Sequence, residues 1–232
     1  MAAFDQIWSN ESTGASTVAV TGVAPAGTNR LLVVDTGHAW GGARTVNSIT
    51  KGATAITLEN WDDYNPNYWD STSRYLVAPT TTSETVTVTL SGTADTLFCA
   101  VTSYTAVDQT TPVDAASTNN QDSFDPTGLT ITSATSDMVH SSIHCGWHSG
   151  LTFQGDGTER YDSGSIGGYS RAAVANAPGA ASVNVEWGGG SGYNSAHVMG
   201  GFNINDAGGA PAANPKGVFG MPFHGPFGGP IG

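Results

Sequence analysis

The sequence predicts an all-β protein, an antiparallel β-sandwich or jelly roll of about ten to twelve strands with an extended C-terminal arm rich in Gly, Pro and Phe. Three observations predict it. Charged residues make up only 11% of the chain, while Gly, Ser, Thr, Ala and Val are abundant, a composition typical of β-sandwiches. Short apolar segments recur at intervals of roughly 8–12 residues between turn signals. No segment keeps a helical period for more than about two turns.

The chain divides by composition into a body and an arm. Residues 1–205 carry the strand pattern and are predicted to form the β-sandwich body. Residues 206–214 form a linker of Gly, Ala, Pro and Asn, and residues 215–232 form the arm. The sequence therefore predicts one sizeable β domain with a C-terminal extension.

Two strands are predicted at the centre of the body. Residues 29–34 end in a continuous apolar run, and residues 97–104 are apolar at both odd and even positions. A strand that is apolar on both faces is covered on both faces. We therefore expect these two segments to lie between other layers of the fold.

Other strands are predicted to be buried on one face only. In residues 85–90, Val86, Val88 and Leu90 alternate with threonines, which is the two-residue period of a half-buried strand. Lys51 and Gly52 separate two strand-like segments and predict a tight hairpin. Similar patterns predict further strands at residues 17–21, 46–50, 53–58, 73–78, 129–131, 168–175, 182–187 and 197–204.

One predicted strand, residues 139–148, carries histidines on a single face. The apolar face holds Val139, Ile143, Cys145 and Trp147, and the opposite face holds His140, Ser142, His144 and His148. Two residues four positions apart on a strand are separated by about 13 Å, whereas zinc ligands need bonds of about 2.0–2.1 Å. The sequence therefore predicts an outward polar face or a subunit contact here and no metal site. The alternative is a metal site completed by a ligand from elsewhere, such as His197 or His148 after a bend.

The cysteine and charge content limits the possible partners. Cys99 and Cys145 lie inside predicted strands and are expected to be buried free thiols. The net charge is −12, with 19 acidic against 7 basic residues, which disfavours nucleic acid and anionic membranes as partners. Neither a secretory signal nor an apolar run of membrane-spanning length is visible, so we expect a soluble protein made in a cytoplasm.

Residues 59–70 are predicted to be a loop and are rich in aromatic and acidic residues. Aromatic planes stack on sugar rings, and the Asp and Asn side chains would accept hydrogen bonds from hydroxyls or hold Ca²⁺. The sequence predicts no cofactor, and Ca²⁺ is the one ion that these oxygen ligands would suit, although their spacing does not match the calcium-binding helix–loop–helix pattern. The alternative is that the loop caps one end of the sandwich or contacts another subunit. The candidate glycan-binding residues are Trp61, Tyr64, Tyr68 and Trp69.

The arm carries apolar side chains at every fourth position. Phe219, Phe223, Phe227 and Ile231 recur between prolines, and proline excludes both helix and interior strand. We expect an extended arm that uses these four side chains as anchors on a neighbouring subunit or on its own body. A disordered Gly/Pro tail is the alternative.

No catalytic motif is recognisable in the chain. Residues 146–150 place Ser149 outside the central position of a nucleophile elbow. Residues 188–190 are glycines without the lysine and helix of a phosphate loop. The sequence therefore predicts a protein that is not an enzyme, and a polysaccharide-degrading enzyme on a jelly-roll scaffold is a third alternative.

Several segments in order resemble a β-sandwich module of bacteriophage virion proteins and environmental adhesin-like proteins, over roughly residues 15–205. The resemblance implies a virion structural protein, either a capsid decoration or cement subunit or a tail-associated subunit. Its implied partners are other virion proteins and copies of itself, and it carries over no site residues. A carbohydrate- or receptor-binding module is the alternative. The resemblance rests on residues 29–34, 46–50, 55–58, 75–79, 85–92, 103–104 and 107–112.

Overall fold

A computed structural model of the protein describes residues 1–39, 44–65, 69–121, 127–146, 150–168, 170–188 and 196–208. At 62–65, 69, 115 and 121 it describes the backbone alone. Fifteen strands and no helix occur in these residues, which confirms the all-β prediction. The strands are β1 Ala3–Val23, β2 Leu31–Ala39, β3 Val46–Lys51, β4 Thr54–Ala55, β5 Leu58–Asn65, β6 Trp69–Val77, β7 Glu84–Thr105, β8 Val113–Gln121, β9 Thr127–Ile131, β10 Met138–Gly146, β11 Thr152–Phe153, β12 Thr158–Asp162, β13 Ser170–Pro178, β14 Val183–Gly188 and β15 His197–Ile204.

The strands form three sheets. The first has 7 strands in the order β4-β3-β7-β2-β6-β5, with β1 paired to β7. The second has 5 strands in the order β12-β13-β10-β15-β8, and the third has 3 in the order β11-β14-β9. Every named strand pairing is antiparallel. The antiparallel part of the prediction is confirmed, and the jelly-roll topology stays a prediction.

The five-stranded sheet lies between the other two sheets. On one side, Val198 and Phe202 of β15 pack in a core with Leu31 and Val33 of β2. On its other side, Val139, Ile143 and Cys145 of β10 pack in a core with Trp187 of β14 and with β9. Successive side chains of a strand point to opposite faces, so β10 contributes to both interfaces and is buried along almost its whole length.

The seven-stranded sheet curls over itself because two of its strands are very long. β1 has 21 residues and β7 has 22. The first half of β7, with Val86 and Val88, packs in one core with Leu32 and Val34 of β2. The body is therefore a stack of packed layers, a sandwich-like arrangement in which β2 and the second half of β7 are covered on both faces, as their sequences predict.

Other local predictions agree with the structure. β3 and β4 form the predicted hairpin, with Lys51 opposite Thr54, and Gly52 has a φ of 55° that only glycine adopts without strain. Val86, Val88 and Leu90 are buried. Cys99 and Cys145 are buried free thiols, as expected. Burial in apolar surroundings raises the pKa of both thiols.

Two predictions about polar segments are wrong. Residues 59–65 and 69–70 of the predicted loop belong to strands, because β5 and β6 pair through them with Tyr64 opposite Asp70. The sequence also predicts that the polar residues 117–126 separate two runs of strands, but β8 continues to Gln121 and pairs with β15. Both segments form strands because a neighbouring strand offers a continuous ladder of backbone hydrogen bonds, which side-chain polarity does not prevent.

Candidate functional site

A closed set of polar side chains lies between the seven-stranded and five-stranded sheets. It contains Asp35 of β2, Tyr104 of β7, and His140 and Ser142 of β10, and we call it the interlayer polar cluster. All four residues are 0% exposed. Asp35 comes directly after the apolar run of β2. Its side chain lies on the same face of the strand as Leu31 and Val33, so its carboxyl points toward the five-stranded sheet.

The hydrogen bonds of the cluster form a chain. His140 Nε2 lies 2.8 Å from Asp35 Oδ2, and the Tyr104 hydroxyl lies 2.7 Å from His140 Nδ1. Ser142 Oγ donates to Asp35 Oδ1 over 3.0 Å. Burial raises the pKa of Tyr104, so its hydroxyl keeps the proton and donates to Nδ1. The imidazole then donates to the carboxylate through Nε2, which gives every member a partner.

The predicted outward face of the histidine strand is therefore wrong. His140 and His144 are both 0% exposed. The alternation along β10 predicts correctly which side chains share a face. The seven-stranded sheet covers the polar face, however, so His140 and Ser142 form hydrogen bonds to that sheet instead of to water. The His140 ring also lies 5.0 Å from that of Phe202, centroid to centroid. Trp147 and His148 lie outside the described residues.

Two further buried histidines have strongly shifted pKa values. Burial lowers the pKa of His38 from 6.5 to about 4 and that of His144 from 6.5 to about 3. His38 Nε2 lies 3.8 Å from Asp70 Oδ2, and the His144 ring lies 5.2 Å from that of Phe98. Both imidazoles are therefore held neutral at pH 7, because the charged form loses its hydration in the interior.

The interlayer polar cluster has the residue types of a proton relay, but it lies between two sheets and links them to each other. An Asp-His pair with a hydroxyl on the second ring nitrogen would suit general acid-base chemistry if a substrate reached it. Here each of these groups is bonded to another layer of the protein and is fully buried. Its chemical effect is to make the separation of the two sheets costly, because separating them would break charge-assisted hydrogen bonds.

No group of three or more His, Cys, Asp or Glu residues is arranged to hold a metal ion within the described ranges. The suggested Ca²⁺ site falls in residues 59–70, where the side chains at 62–65 and 69 lie outside the description. Ca²⁺ therefore stays a prediction. Within the same ranges, the chain also has no helix long and apolar enough to cross a membrane.

The aromatic residues predicted to bind glycan are only partly described. Trp61 of β5 is 5% exposed and packs in the core between the first two sheets, so its ring lies inside the protein. A Cβ at Gly200 of β15 would lie 2.0 Å from Trp61 Cε2, so glycine is required for the ring to pack there. Tyr64 and Trp69 lie on strands without described side chains, and Tyr68 lies outside the described residues.

A cleft of about 250 Å³ lies beside Trp61, where the edge strands β5 and β8 meet. Within the description, the buried atoms Trp61 Nε1 and Asn60 Oδ1 have no hydrogen-bond partner. Asn203 Nδ2 donates to Asp114 Oδ1, which orients one of the two lining carboxyls. The cleft is lined by Glu59, Asn60, Val113, Asp114, Ala116 and Phe202.

A second feature of the surface is the outer edge of β1. Its inner edge pairs with β7 from Ala3 opposite Thr105 to Val23 opposite Glu84, and β7 is the one strand recorded as its partner in the described part of the chain. Sequence reasoning predicted only residues 17–21 of this strand. Its first half is polar and half-exposed, and only the ladder to β7 makes it a strand.

The predicted anchors of the arm, Phe219, Phe223, Phe227 and Ile231, lie outside the described residues. The described chain ends at Gly208, and Ala207 N donates to Ala106 O over 2.7 Å. Thr105, one residue before Ala106, pairs with Ala3 at the start of β1. The described chain therefore ends beside the first residues of the outer edge of β1.

Comparison with known proteins identifies no family for the chain. It matches no protein-family model, and no curated protein matches it with significance.

The interlayer polar cluster is what sequence reasoning missed. Asp35 directly follows the apolar run 31–34 and belongs to the same strand, and a carboxyl in a doubly covered strand needs a buried partner. The position of Asp35 therefore predicts that a buried partner exists, but the sequence does not show which residue it is, because His140 lies 105 positions away in the chain.

Proposed function

We propose that this protein is a non-enzymatic structural subunit of a bacteriophage particle, held to neighbouring subunits through residues 215–232. It would act as a capsid decoration or cement subunit or as a tail-associated subunit, located in the virion after synthesis in the host cytoplasm. Its partners would be other virion proteins and copies of itself. The resemblance of the strand sequence to virion β-sandwich modules motivates the proposal.

The observation that carries the proposal is how the buried polar groups are used. The Asp35–His140–Tyr104 chain joins two sheets through fully buried hydrogen bonds. Such a chain adds to the cost of shearing the layers past one another, which suits a subunit under mechanical load in a particle. The acidic net charge of −12 favours contacts with proteins over contacts with the packaged nucleic acid.

The energetics of the arm suit a repeated lattice. Burying one Phe or Ile side chain stabilises a contact by roughly 1.5–3 kcal/mol, and the ordering of a flexible segment removes a substantial part of this gain. The net contact of one arm is modest. Repetition over a symmetric particle converts such contacts into stable attachment through avidity.

Replacing Phe219, Phe223 and Phe227 together with alanine is expected to abolish assembly and leave the body folded, because the anchors are lost and the layers are untouched. Static light scattering against concentration and co-assembly with particles lacking the protein would measure this. The matched control replaces the same three residues with leucine, which keeps apolar side chains at the anchor positions and should retain assembly. Normal assembly of the alanine variant would contradict the proposal.

A carbohydrate- or receptor-binding module is the second candidate, favoured by the cleft between β5 and β8. A polyhydroxylated ligand there would meet Glu59, Asp114 and Asn60, which line the cleft, and the Oδ1 of Asn60 has no hydrogen-bond partner in the described residues. Sugar sites combine such polar groups with an apolar wall, and Phe202 lines this cleft.

The second candidate predicts glycan binding that depends on this cleft. On a glycan array, Asn60→Ala should lower binding at least about tenfold, as loss of a hydrogen bond to a charged or desolvated group does. Trp69→Ala tests the aromatic residues that the sequence predicts to bind glycan, and it should also lower binding. The control Thr81→Ala changes an exposed residue away from the cleft and should bind normally. Absence of binding to any glycan by the unchanged protein would exclude this candidate.

A further inference from the structure

The outer edge of β1 is suited to accept another strand. A strand edge presents a row of N–H and C=O groups that can pair with a further chain. Register shifts interrupt β1 between Phe4 and Gln6 and again between Ala15 and Thr17, but from Gln6 to Ala15 its ladder to β7 is regular. β1 contains no lysine and no proline, the residues that commonly block an edge against pairing.

The prolines within residues 219–231 all fall on one side of an extended chain. Pro222, Pro226 and Pro230 occupy even positions. In a β-strand, the backbone N–H and C=O of alternate residues point to the same side. If the even residues face solvent, no proline removes a hydrogen bond, and the odd residues 219–231 supply a full set of donors. Proline is tolerated in this way on edge strands.

The same alternation sorts the side chains of the arm. Successive side chains point to opposite faces of a strand, so the odd positions of the arm form one face. That face is apolar apart from glycine, while the even positions from 220 onward hold only Gly, Pro and His. An edge strand with one apolar face matches a sheet edge that carries a half-buried apolar side chain on the same face. Within Gln6–Ala15, β1 offers Ile7 on one face and Trp8 on the other. The apolar face of the arm consists of Phe219, Met221, Phe223, Phe227 and Ile231.

The direction of the chain favours an arm from another copy. The arm leaves the body beside Ala3, so an arm that followed its own β1 would run parallel to it. Every named pairing in the body is antiparallel. To pair antiparallel with its own β1, residue 219 would first have to reach Ala15, roughly 40 Å away at ~3.3 Å per residue, which is about the full extended length of residues 208–219. An arm from a neighbouring copy has no such limit.

We propose that residues 219–231 of one copy add as an antiparallel edge strand along Gln6–Ala15 of β1 in a neighbouring copy. This inference rests on the proposed function, because it takes the arm as the assembly element and names the surface that receives it. The main-chain hydrogen bonds supply affinity and the apolar face supplies register, as in other cases of strand addition.

Two glycine substitutions in the arm test the inference in the full-length chain. Gly225→Pro removes an N–H at an odd position that faces β1, whereas Gly228→Pro removes one at an even position that faces solvent. Both changes are Gly→Pro within the same segment, and the extended backbone suits both. Gly225→Pro is expected to weaken assembly about tenfold or more through the lost hydrogen bond and the clash of the ring with the receiving strand. Gly228→Pro should assemble normally.

Hydrogen–deuterium exchange locates the contact through those amides of residues 6–15 that point away from β7, because the other amides are already protected by β7. The following expectations refer to these outward amides. The unchanged protein and Gly228→Pro should show slow exchange that becomes faster on dilution, and Gly225→Pro should show fast exchange at every concentration. Equal behaviour of the two proline variants would overturn strand addition, because a polyproline-like arm tolerates both. Slow exchange that is independent of dilution would overturn the copy-to-copy part and indicate the chain's own arm.

The result also separates this inference from the proposed function. If the alanine variant at 219, 223 and 227 fails to assemble while the two proline variants behave alike, the arm mediates assembly without forming a strand, and only the present inference is overturned. If the alanine variant assembles normally, the proposed function itself fails.

Discussion

His140→Leu is expected to lower the free energy of unfolding by about 3–5 kcal/mol, the largest effect that we expect from one substitution in the body. The change keeps an apolar side chain of similar size between the sheets but removes both hydrogen bonds of the imidazole. Asp35 then lies fully buried with Ser142 as its one remaining side-chain partner among the described contacts. A buried carboxyl that loses its main partner has no hydration to replace it. Urea unfolding at pH 7, followed by tryptophan fluorescence, measures the change.

The matched control removes the carboxyl as well. Asp35→Val combined with His140→Leu replaces the polar pair with apolar side chains, and such replacements are often neutral or stabilising. We expect the double variant to recover a large part of the loss. If His140→Leu costs less than about 1 kcal/mol, or if the double variant is no more stable than the single one, the interlayer cluster does not fasten the sheets as the structure indicates.

The free energy of unfolding is expected to fall by about 2 kcal/mol for each of His38 and His144 between pH 7 and pH 5. Both pKa values are lower in the folded protein, about 4 and about 3, than the ordinary value of 6.5. Below pH 6.5 the unfolded chain therefore binds protons that the folded protein does not. The stability is fully present above pH 6.5 and is lost as the pH falls toward these folded-state values.

Urea unfolding at half-unit steps from pH 7 to pH 5 measures this slope. Most carboxyls titrate below this window, so the histidines dominate it. The variant His38→Asn with His144→Asn is expected to be less stable at pH 7 but to lose about 4 kcal/mol less than the unchanged protein over the same steps. Equal slopes for the two proteins would show that these imidazoles are hydrated or charged in the folded state, against the structure.

The sequence by itself determined the class of fold and the centre of the body. Continuous apolar runs at 31–34 and 97–104 require cover on both faces, because apolar side chains on either face lose free energy in water. Both segments lie between layers. The Lys51-Gly52 hairpin and the state of the two cysteines follow from equally local causes, namely a backbone angle that glycine permits and a core that needs no disulfide.

Only the tertiary structure decided where the polar strands lie. β1 and β8 are strands because β7 and β15 offer them hydrogen-bond ladders, and their own side chains carry little signal. The alternation of β10 correctly assigned His140 to the polar face, but a period of two is the same whether water or another sheet covers that face. The partner that makes burial tolerable, Asp35, comes from a strand 105 positions away. Such a contact depends on how the sheets stack, so no local pattern of residues can predict it.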